Sequence, residues 1–233
     1  MPAWVDAIVL VDDASTDATA DAAAALGDAR IDLVTHARNR GVGAAIATGY
    51  ARALATPGGP RDAFVVMAGD GQMDPRDLPA LLDGIVRGGA DYVKGNRFRW
   101  RGAAVTMPPG RLLGGLALSW VTARAIGVAI SDSQCGYTAI SRAACEALDL
   151  VGLWPGYGYP NDLLSQLALR GLRIAEATVR PVYADEVSRL RTRHVPGVAG
   201  VVARAWVRRL RARSAQSPVQ DRGHVRERVV DVE

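Results

Sequence analysis

The sequence predicts an α/β domain with a mostly parallel sheet flanked by helices, and three observations carry this prediction. Short apolar runs alternate with helix-like segments over residues 7–94, which is typical of parallel strands joined by helices. The run 63–67 is apolar at every position, as expected of a strand that is buried on both faces. The 233 residues are 49% hydrophobic and 22% charged, a composition that fits one large globular domain.

Each element is predicted by its own local pattern of apolar runs, capping residues and turn residues. The predicted strands are 7–11, 31–34, 63–67, 91–94 and 174–183, with another at the end of the segment 130–140. The predicted helices follow the acidic turn 12–17 as far as residue 26, cover 44–55 and 75–86, resume from residue 112, follow the loop 154–162 as far as residue 170, and cover 199–213. Pro57-Gly-Gly-Pro60 ends the second helix, and Gly171 ends the helix before the last strand.

Composition excludes several classes of protein. Two cysteines, Cys135 and Cys145, are too few for a disulfide-stapled secreted scaffold, and they form no zinc motif. The segment 112–130 approaches the length of a membrane span, but Arg124 interrupts it, so we expect an amphipathic or buried helix there. Acidic residues among the first apolar ones do not fit a secretory signal peptide, so we expect a cytoplasmic location.

Charge divides the chain into two parts. Residues 1–188 hold 17 Arg and Lys against 20 Asp and Glu, whereas residues 189–233 hold 11 Arg against 4 acids. We therefore predict an α/β domain over 1–188 and a basic C-terminal helix with a disordered tail over 189–233. A phosphate-bearing small molecule or an anionic membrane surface is the expected partner. Nucleic acid is not expected, because the basic part has few aromatic residues and no known binding motif.

Two acidic turns at predicted strand ends are the sharpest chemical signals. Asp12 and Asp13 follow the first strand, and Asp70-Gly-Gln72 follows the third. Carboxylates at such sheet ends bind a hard cation or a polar ligand, or they cap the next helix. Both explanations remain open for a single turn, but repetition on two strand ends favours a ligand site.

At these turns the sequence resembles glycosyltransferase family 2, whose members have the GT-A fold, and within it the dolichyl-phosphate or polyprenyl-phosphate sugar transferases. Three segments carry the resemblance: 9–17 resembles the nucleotide-binding turn, 36–46 the Asn-x-Gly segment, and 67–75 the metal motif with its following helix. The family pattern continues in the same order over about residues 5–190. Family members open with a further strand and turn, which this sequence lacks, so the resemblance implies an N-terminally truncated sheet.

The resemblance implies a set of donor-side residues. Asp12, Asp13, Asn39 and Gly41 would bind the nucleotide-sugar, and Lys94 and Arg97 would contact its phosphate oxygens, unless these two are ordinary surface charges. Asp70 and Gln72 would bind Mg²⁺ or Mn²⁺, with Asp70 counted among the catalytic residues. The family usually has another Asp two residues before this one; here that residue is Ala68, which leaves one carboxylate fewer for the metal.

The resemblance also implies an acceptor side. Gln134 lies in the segment 132–138, which resembles the acceptor motif, and Arg189 and Arg191 would close over the phosphates. Asp162 occupies the family's acidic position at a helix start. It would serve as catalytic base or orient the acceptor, and helix capping is its structural alternative.

These residues together predict an inverting, metal-assisted transfer of a sugar from a nucleotide-diphosphate sugar to a polyprenyl phosphate. The expected location is the inner face of the cell membrane, with the protein bound peripherally. Two alternatives remain: transfer to a saccharide or other small acceptor, and an inactive protein that binds nucleotide-sugars in a regulatory role. The absent strand and Ala68 favour the second alternative.

Overall fold

The computed structural model describes residues 1–182 and 195–215, and it contains six strands and eight α-helices in those ranges. The strands are β1 (Ile8–Asp12), β2 (Ile31–Thr35), β3 (Ala63–Val66), β4 (Tyr92–Asn96), β5 (Thr138–Ser141) and β6 (Ile174–Thr178). The helices are α1 (Thr19–Ala25), α2 (Val42–Ala55), α3 (Leu78–Val86), α4 (Ala103–Thr106), α5 (Pro109–Ile126), α6 (Arg142–Glu146), α7 (Tyr159–Leu169) and α8 (Val195–Ala215). Every predicted element is present with shifted ends, and the two short helices α4 and α6 are additions. A single 3-10 turn, Pro75–Asp77, precedes α3.

The strands form two sheets that share no ladder of hydrogen bonds. β1 pairs in parallel with β2, and the larger sheet has the order β3-β5-β4-β6. Within it β4 and β6 are parallel, whereas β5 runs antiparallel to both of its neighbours. The α/β fold class is therefore confirmed, and the sheet is mixed: two of the four ladders are parallel and two antiparallel, with β5 as the one reversed strand of the larger sheet.

Alternate residues of the central strands pack into different hydrophobic clusters, so the larger sheet is covered on both faces. Tyr92 of β4 and Ile140 of β5 belong to a cluster with α2, α5 and α7, whereas their neighbours Val93 and Ala139 belong to a cluster with α3. All five residues of β4 are buried. This double coverage explains why several strands are almost continuously apolar in the sequence.

Helix α8 is part of the folded domain rather than a separate solvated helix. It packs against α5 and α7, and four of its side chains are buried at helical spacing: Val198, Val201, Val202 and Ala205. Among the described residues, no helix is both long and apolar enough to cross a membrane. The predicted disordered tail falls on residues 216–233, which lie outside the described ranges.

The start of α2 is clamped against the loop before α7. The backbone N–H groups of Gly43 and Ala44 donate to the carbonyl oxygen of Pro155, at 2.7 and 3.3 Å. A Cβ atom on Gly43 would lie 2.0 Å from the carbonyl oxygen of Trp154 and 2.8 Å from Cβ of Tyr159. Only glycine therefore allows this close approach.

We expect Gly43→Ala to lower the free energy of unfolding by about 2 kcal/mol or more, because backbone atoms must move to admit the methyl group. Gly49→Ala, in the same helix, is the matched control, because its Cβ would meet Val11 at an ordinary 3.6 Å. It should raise stability by about 0.5–1 kcal/mol through its higher helix propensity. Urea denaturation measures both changes, and equal loss of stability in the two variants would contradict the clamp.

Candidate functional site

The carboxylate of Asp13 joins the loop after β1 to the loop after β2. It accepts hydrogen bonds from the backbone N–H groups of Arg40 and Gly41, at 2.8 and 2.7 Å, and its Oδ1 lies 2.6 Å from Nδ1 of His36. The side-chain amide of Asn39 donates to the carbonyl oxygen of Asp13 at 3.1 Å. These bonds bring together three of the four residues predicted to bind the nucleotide, namely Asp13, Asn39 and Gly41.

Both carboxylate oxygens of Asp13 bond to groups of the protein itself, so this residue stabilises the conformation of the loop. Burial alone would raise its pKa, but the hydrogen bonds from His36 and the two backbone amides outweigh that effect and lower the pKa below its ordinary value. Asp12, the fourth predicted residue, is buried and accepts a hydrogen bond from the backbone of Ser15 at 3.2 Å. Ala14, between them and the helix, has a φ of +57°, a left-handed conformation that strains a non-glycine residue.

The predicted metal motif lies on an exposed loop after β3. The side chain of Asp70 is exposed, and its Oδ1 accepts a hydrogen bond from the backbone N–H of Gln72 at 3.1 Å. The described ranges contain no group of three or more His, Cys, Asp or Glu side chains placed to enclose a metal. One carboxylate and one amide oxygen fit an ion that is shared with the phosphates of a ligand.

Asp74, four residues later, has a structural role. It accepts a hydrogen bond from the backbone N–H of Arg76 at the start of the 3-10 turn. The Arg76 guanidinium also pairs with it and lowers the pKa of the carboxyl to about 2. The hydroxyl of Tyr137 donates to the Asp74 carbonyl oxygen at 3.0 Å and so ties this loop to the predicted acceptor segment.

A buried charge cluster at the end of β4 contains the two predicted phosphate-binding cations. Arg97 pairs with Asp132 through two parallel hydrogen bonds, of 2.8 and 2.9 Å, and Asp132 also accepts the backbone N–H of Cys135 at 3.1 Å. Nζ of Lys94 donates to the Cys135 carbonyl oxygen at 2.5 Å. Both Lys94 and Asp132 are fully buried, so the structure places the Lys94 ammonium away from solvent.

The cluster has opposite effects on its charged groups. Burial lowers the pKa of Lys94, the direction expected when an ammonium leaves water. Burial would raise the pKa of Asp132, but the Arg97 guanidinium outweighs it and the net shift is downward. Burial also raises the pKa of the Cys135 thiol, which is the environment of an inert cysteine.

Gln134 lies in a polar cluster between α5, α7 and the acceptor segment. Its amide donates to Oδ1 of Asn161 at 3.0 Å, and the hydroxyl of Thr122 donates to the same atom at 3.2 Å. Nδ2 of Asn161 is buried and has no hydrogen-bond partner in the described structure. The sequence analysis missed Asn161 and Thr122; the position of Asn161 directly before Asp162 was the one available signal.

Asp162 is 1% exposed and both of its oxygens have partners. Oδ2 accepts the backbone N–H of Trp154 at 3.0 Å, and Oδ1 lies 2.7 Å from Nη1 of Arg208 in α8. Gly158 precedes the first residue of α7, so Asp162 is not the capping residue of its own helix. Arg208 was not predicted, because 46 residues separate it from Asp162 along the chain.

The predicted segments converge on one region. Pro155 bonds to the start of α2, its neighbour Trp154 bonds to Asp162, and the residue before Asp162 bonds to Gln134. The nucleotide-side loops and the acceptor-side residues are therefore linked through separate hydrogen bonds made by residues that are neighbours along the chain. Arg189 and Arg191 lie outside the described residues.

A family model, Glycosyl transferase family 2, matches residues 5–148. The chain is 28% identical over 156 residues to UDP-N-acetylglucosamine–dolichyl-phosphate N-acetylglucosaminyltransferase of Methanococcus voltae, covering 67% of this chain and 61% of that protein. It is 31% identical over 175 residues to undecaprenyl-phosphate mannosyltransferase of Micrococcus luteus, covering 74% of this chain and 70% of that protein.

The fold is also found among solved structures. Glucosyl-3-phosphoglycerate synthase of Mycobacterium tuberculosis, in complex with Mn²⁺, UDP and phosphoglyceric acid, superposes with a TM-score of 0.61 and 22% identity. The superposition covers 88% of this chain and 68% of that chain. The same enzyme has been solved with Mg²⁺ and UDP. At this identity the likeness concerns the fold.

We expect Asp13→Asn to lower the free energy of unfolding by about 1–3 kcal/mol at pH 7, because the new amide NH2 group would face the backbone donor of either Arg40 or Gly41. The pKa of Asp13 lies below 3.8 in the folded protein, so its contribution is present above that pH and is lost as the pH falls further. The difference from the parent protein should narrow below pH 3.8. Thermal unfolding across pH measures it.

Asp32→Asn is the matched control, because Asp32 pairs with Arg52 at the exposed surface. This change should alter stability by no more than about 0.5 kcal/mol. If the two variants behaved alike, Asp13 would not hold the two loops together.

Proposed function

The chain belongs to glycosyl transferase family 2 and has a GT-A-like fold, and from that membership we propose that it transfers a sugar from a nucleotide-diphosphate sugar to a polyprenyl phosphate. An oxygen of the acceptor phosphate attacks the anomeric carbon and forms the new glycosyl bond. The bond to the donor's diphosphate breaks, and the nucleoside diphosphate leaves with its electron pair. Attack from the side opposite the leaving group inverts the anomeric configuration.

The observation that carries the choice of acceptor is the pairing of Asp162. A hydroxyl acceptor must lose a proton to a nearby base, whereas a phosphate acceptor is already ionised and needs only to be positioned. Asp162 is buried and bonded to Trp154 and Arg208, which suits a positioning residue better than a base. The names of the relatives from Methanococcus voltae and Micrococcus luteus, which specify dolichyl phosphate and undecaprenyl phosphate, support the same choice.

The polar cluster at Gln134 supports an acceptor site beside Asp162. The unpartnered Nδ2 of Asn161 is a buried donor, and such a group costs about 1–3 kcal/mol until it meets an acceptor. A phosphate oxygen is an acceptor that would satisfy this donor. We propose that Gln134 and Asn161 orient the acceptor, together with Arg189 and Arg191.

On the donor side, we propose that Asp12, Asn39 and Gly41 bind the nucleotide and that Asp13 holds their loops in place. Asp70 and Gln72 would hold Mg²⁺ or Mn²⁺ together with the donor's phosphates, and the ion would stabilise the charge of the leaving diphosphate. Arg97 is the cation proposed to stand nearest the donor phosphates. Lys94, which is buried behind it, would act by fixing the carbonyl oxygen of Cys135.

A small phosphorylated acceptor is the second candidate, because the fold neighbour was solved with phosphoglyceric acid. Incubation of the protein with radiolabelled UDP- and GDP-sugars and either undecaprenyl phosphate or 3-phosphoglycerate separates the two. We expect a product that partitions into organic solvent with the polyprenyl phosphate only. A water-soluble product with phosphoglycerate alone would replace the proposed acceptor, and no product with any donor would favour a binding protein without activity.

We expect Asp70→Asn to weaken Mn²⁺-dependent binding of UDP by about tenfold or more, because Asp70 is the only carboxylate of the two proposed metal ligands, Asp70 and Gln72. Asp74→Asn is the control: Asn can still cap the 3-10 turn but loses the ion pair with Arg76, so the variant should lower the melting temperature slightly and leave UDP affinity unchanged. Isothermal titration calorimetry with Mn²⁺ or with EDTA measures both. Equal affinity in the two solutions for the parent protein would remove the metal from the proposal.

A further inference from the structure

Helix α5 buries polar side chains and exposes several large apolar side chains. It buries the hydroxyl side chains of Ser119 and Thr122, which bond to the polar cluster beneath it. Several of its large apolar side chains face outward instead, with Leu113 66% exposed and Trp120 61% exposed, although Ile126 at its end is buried in the core. A helix surrounded by water would place these side chains the other way round, so the outer face of α5 is built for an apolar partner.

Helix α8 adds a second exposed apolar stripe beside the first. Trp206 is 49% exposed, and Val207 and Leu210 are also exposed, although the neighbouring stripe of the same helix packs on α5 and α7. Trp120 and Trp206 line the same surface groove between the two helices. The combined surface is called the α5–α8 face; its apolar members are Leu113, Leu116, Trp120, Val121, Trp206, Val207 and Leu210.

The charge on these two helices has one sign. The segments 109–126 and 195–215 contain seven arginines and no acidic residue. Arg124 stacks over the ring of Trp120 with its guanidinium carbon 4.9 Å from the ring centre. Arg204 and Arg211 are exposed on α8. An apolar centre with tryptophans and a rim of arginines matches the headgroup region of an anionic bilayer.

We propose that the α5–α8 face is the surface by which the protein lies on an anionic lipid bilayer, with Trp120 and Trp206 at the depth of the headgroups. The proposal rests on the proposed function, because a polyprenyl phosphate acceptor is held in a membrane. The face also adjoins the acceptor side of the site. Arg208 lies on the same helix, one residue after Val207, and bonds to Asp162.

Charge argues against a second copy of this chain as the occupant. A symmetric dimer through this face would bring the arginines of one copy against those of the other, with no acid on either helix to compensate. Like charges facing each other across an interface oppose association. Anionic lipid headgroups supply the missing negative charge.

Co-sedimentation of the full chain with vesicles tests the proposal. We expect binding to vesicles of phosphatidylglycerol and phosphatidylcholine that weakens as salt is added, and much weaker binding to phosphatidylcholine alone. The double variant Trp120→Ala and Trp206→Ala should lower the partition coefficient by about tenfold or more. Trp4→Ala is the matched control, because Trp4 is 52% exposed but lies outside the face; its vesicle binding should be unchanged.

Two further measurements distinguish lost lipid contact from misfolding and from dimerisation. Replacement of both tryptophans by Phe retains apolar area, so vesicle binding that is restored by Phe shows that the Ala variant lost contact area rather than its fold. Equal vesicle binding by the Ala variant and the parent protein would overturn the proposal. So would a parent protein that is dimeric in sedimentation velocity and becomes monomeric in the Ala variant while vesicle binding is unchanged.

The proposed function is tested separately, by sugar transfer to a short-chain polyprenyl phosphate dissolved without vesicles. The Ala variant should retain that activity, since neither tryptophan is placed in the site. Vesicle binding without sugar transfer would support the α5–α8 face as the lipid-binding surface and contradict polyprenyl phosphate as the acceptor. Sugar transfer by a parent protein that does not bind vesicles would support the acceptor and contradict the lipid-binding surface.

Discussion

The carbonyl oxygen of Pro155 joins parts of the protein that the sheets leave separate. The two sheets share no ladder of hydrogen bonds, yet this oxygen accepts from the first turn of α2, which packs on β1 and β3. The preceding residue, Trp154, is fixed by Asp162 of α7. A few backbone contacts therefore fix the position of the nucleotide-side loops relative to the acceptor-side helix α7. Gly43 makes those contacts possible.

Buried charges in this protein have structural work as well as any chemical role. Removing Asp132 from water is costly, and its hydrogen bonds with Arg97 and with backbone amides offset the cost. The same holds for Asp162 with Arg208. A charged residue that the sequence suggests as a ligand-binding residue can thus instead stabilise the structure around the ligand. Its position along the chain does not distinguish ligand binding from this structural role.

Much of the fold was predictable, because the strands and long helices follow from local patterns. The apolar run 63–67 became β3, and the polar turns at Asp12 and Asp70 do lie at strand ends. The reversal of β5 was not predictable, since strand direction depends on which neighbours pair. The partnership of Asp162 with Arg208 depends on where α8 packs, and the outward tryptophan of α5 depends on the polar cluster that claims its other face. Both are properties of the assembled structure.

The separate pairing of β1 with β2 has a consequence for how the molecule opens. Both strands are only partly buried along most of their length, whereas β4 is buried throughout, and they gain no ladder from the larger sheet. Such a unit can unfold locally while the rest stays native, so its amide hydrogens exchange with solvent at a lower free energy than those of β4. Because Asp13 lies at the end of this unit, a ligand held by its loops would slow that exchange, and donor binding would be measured as protection of two strands.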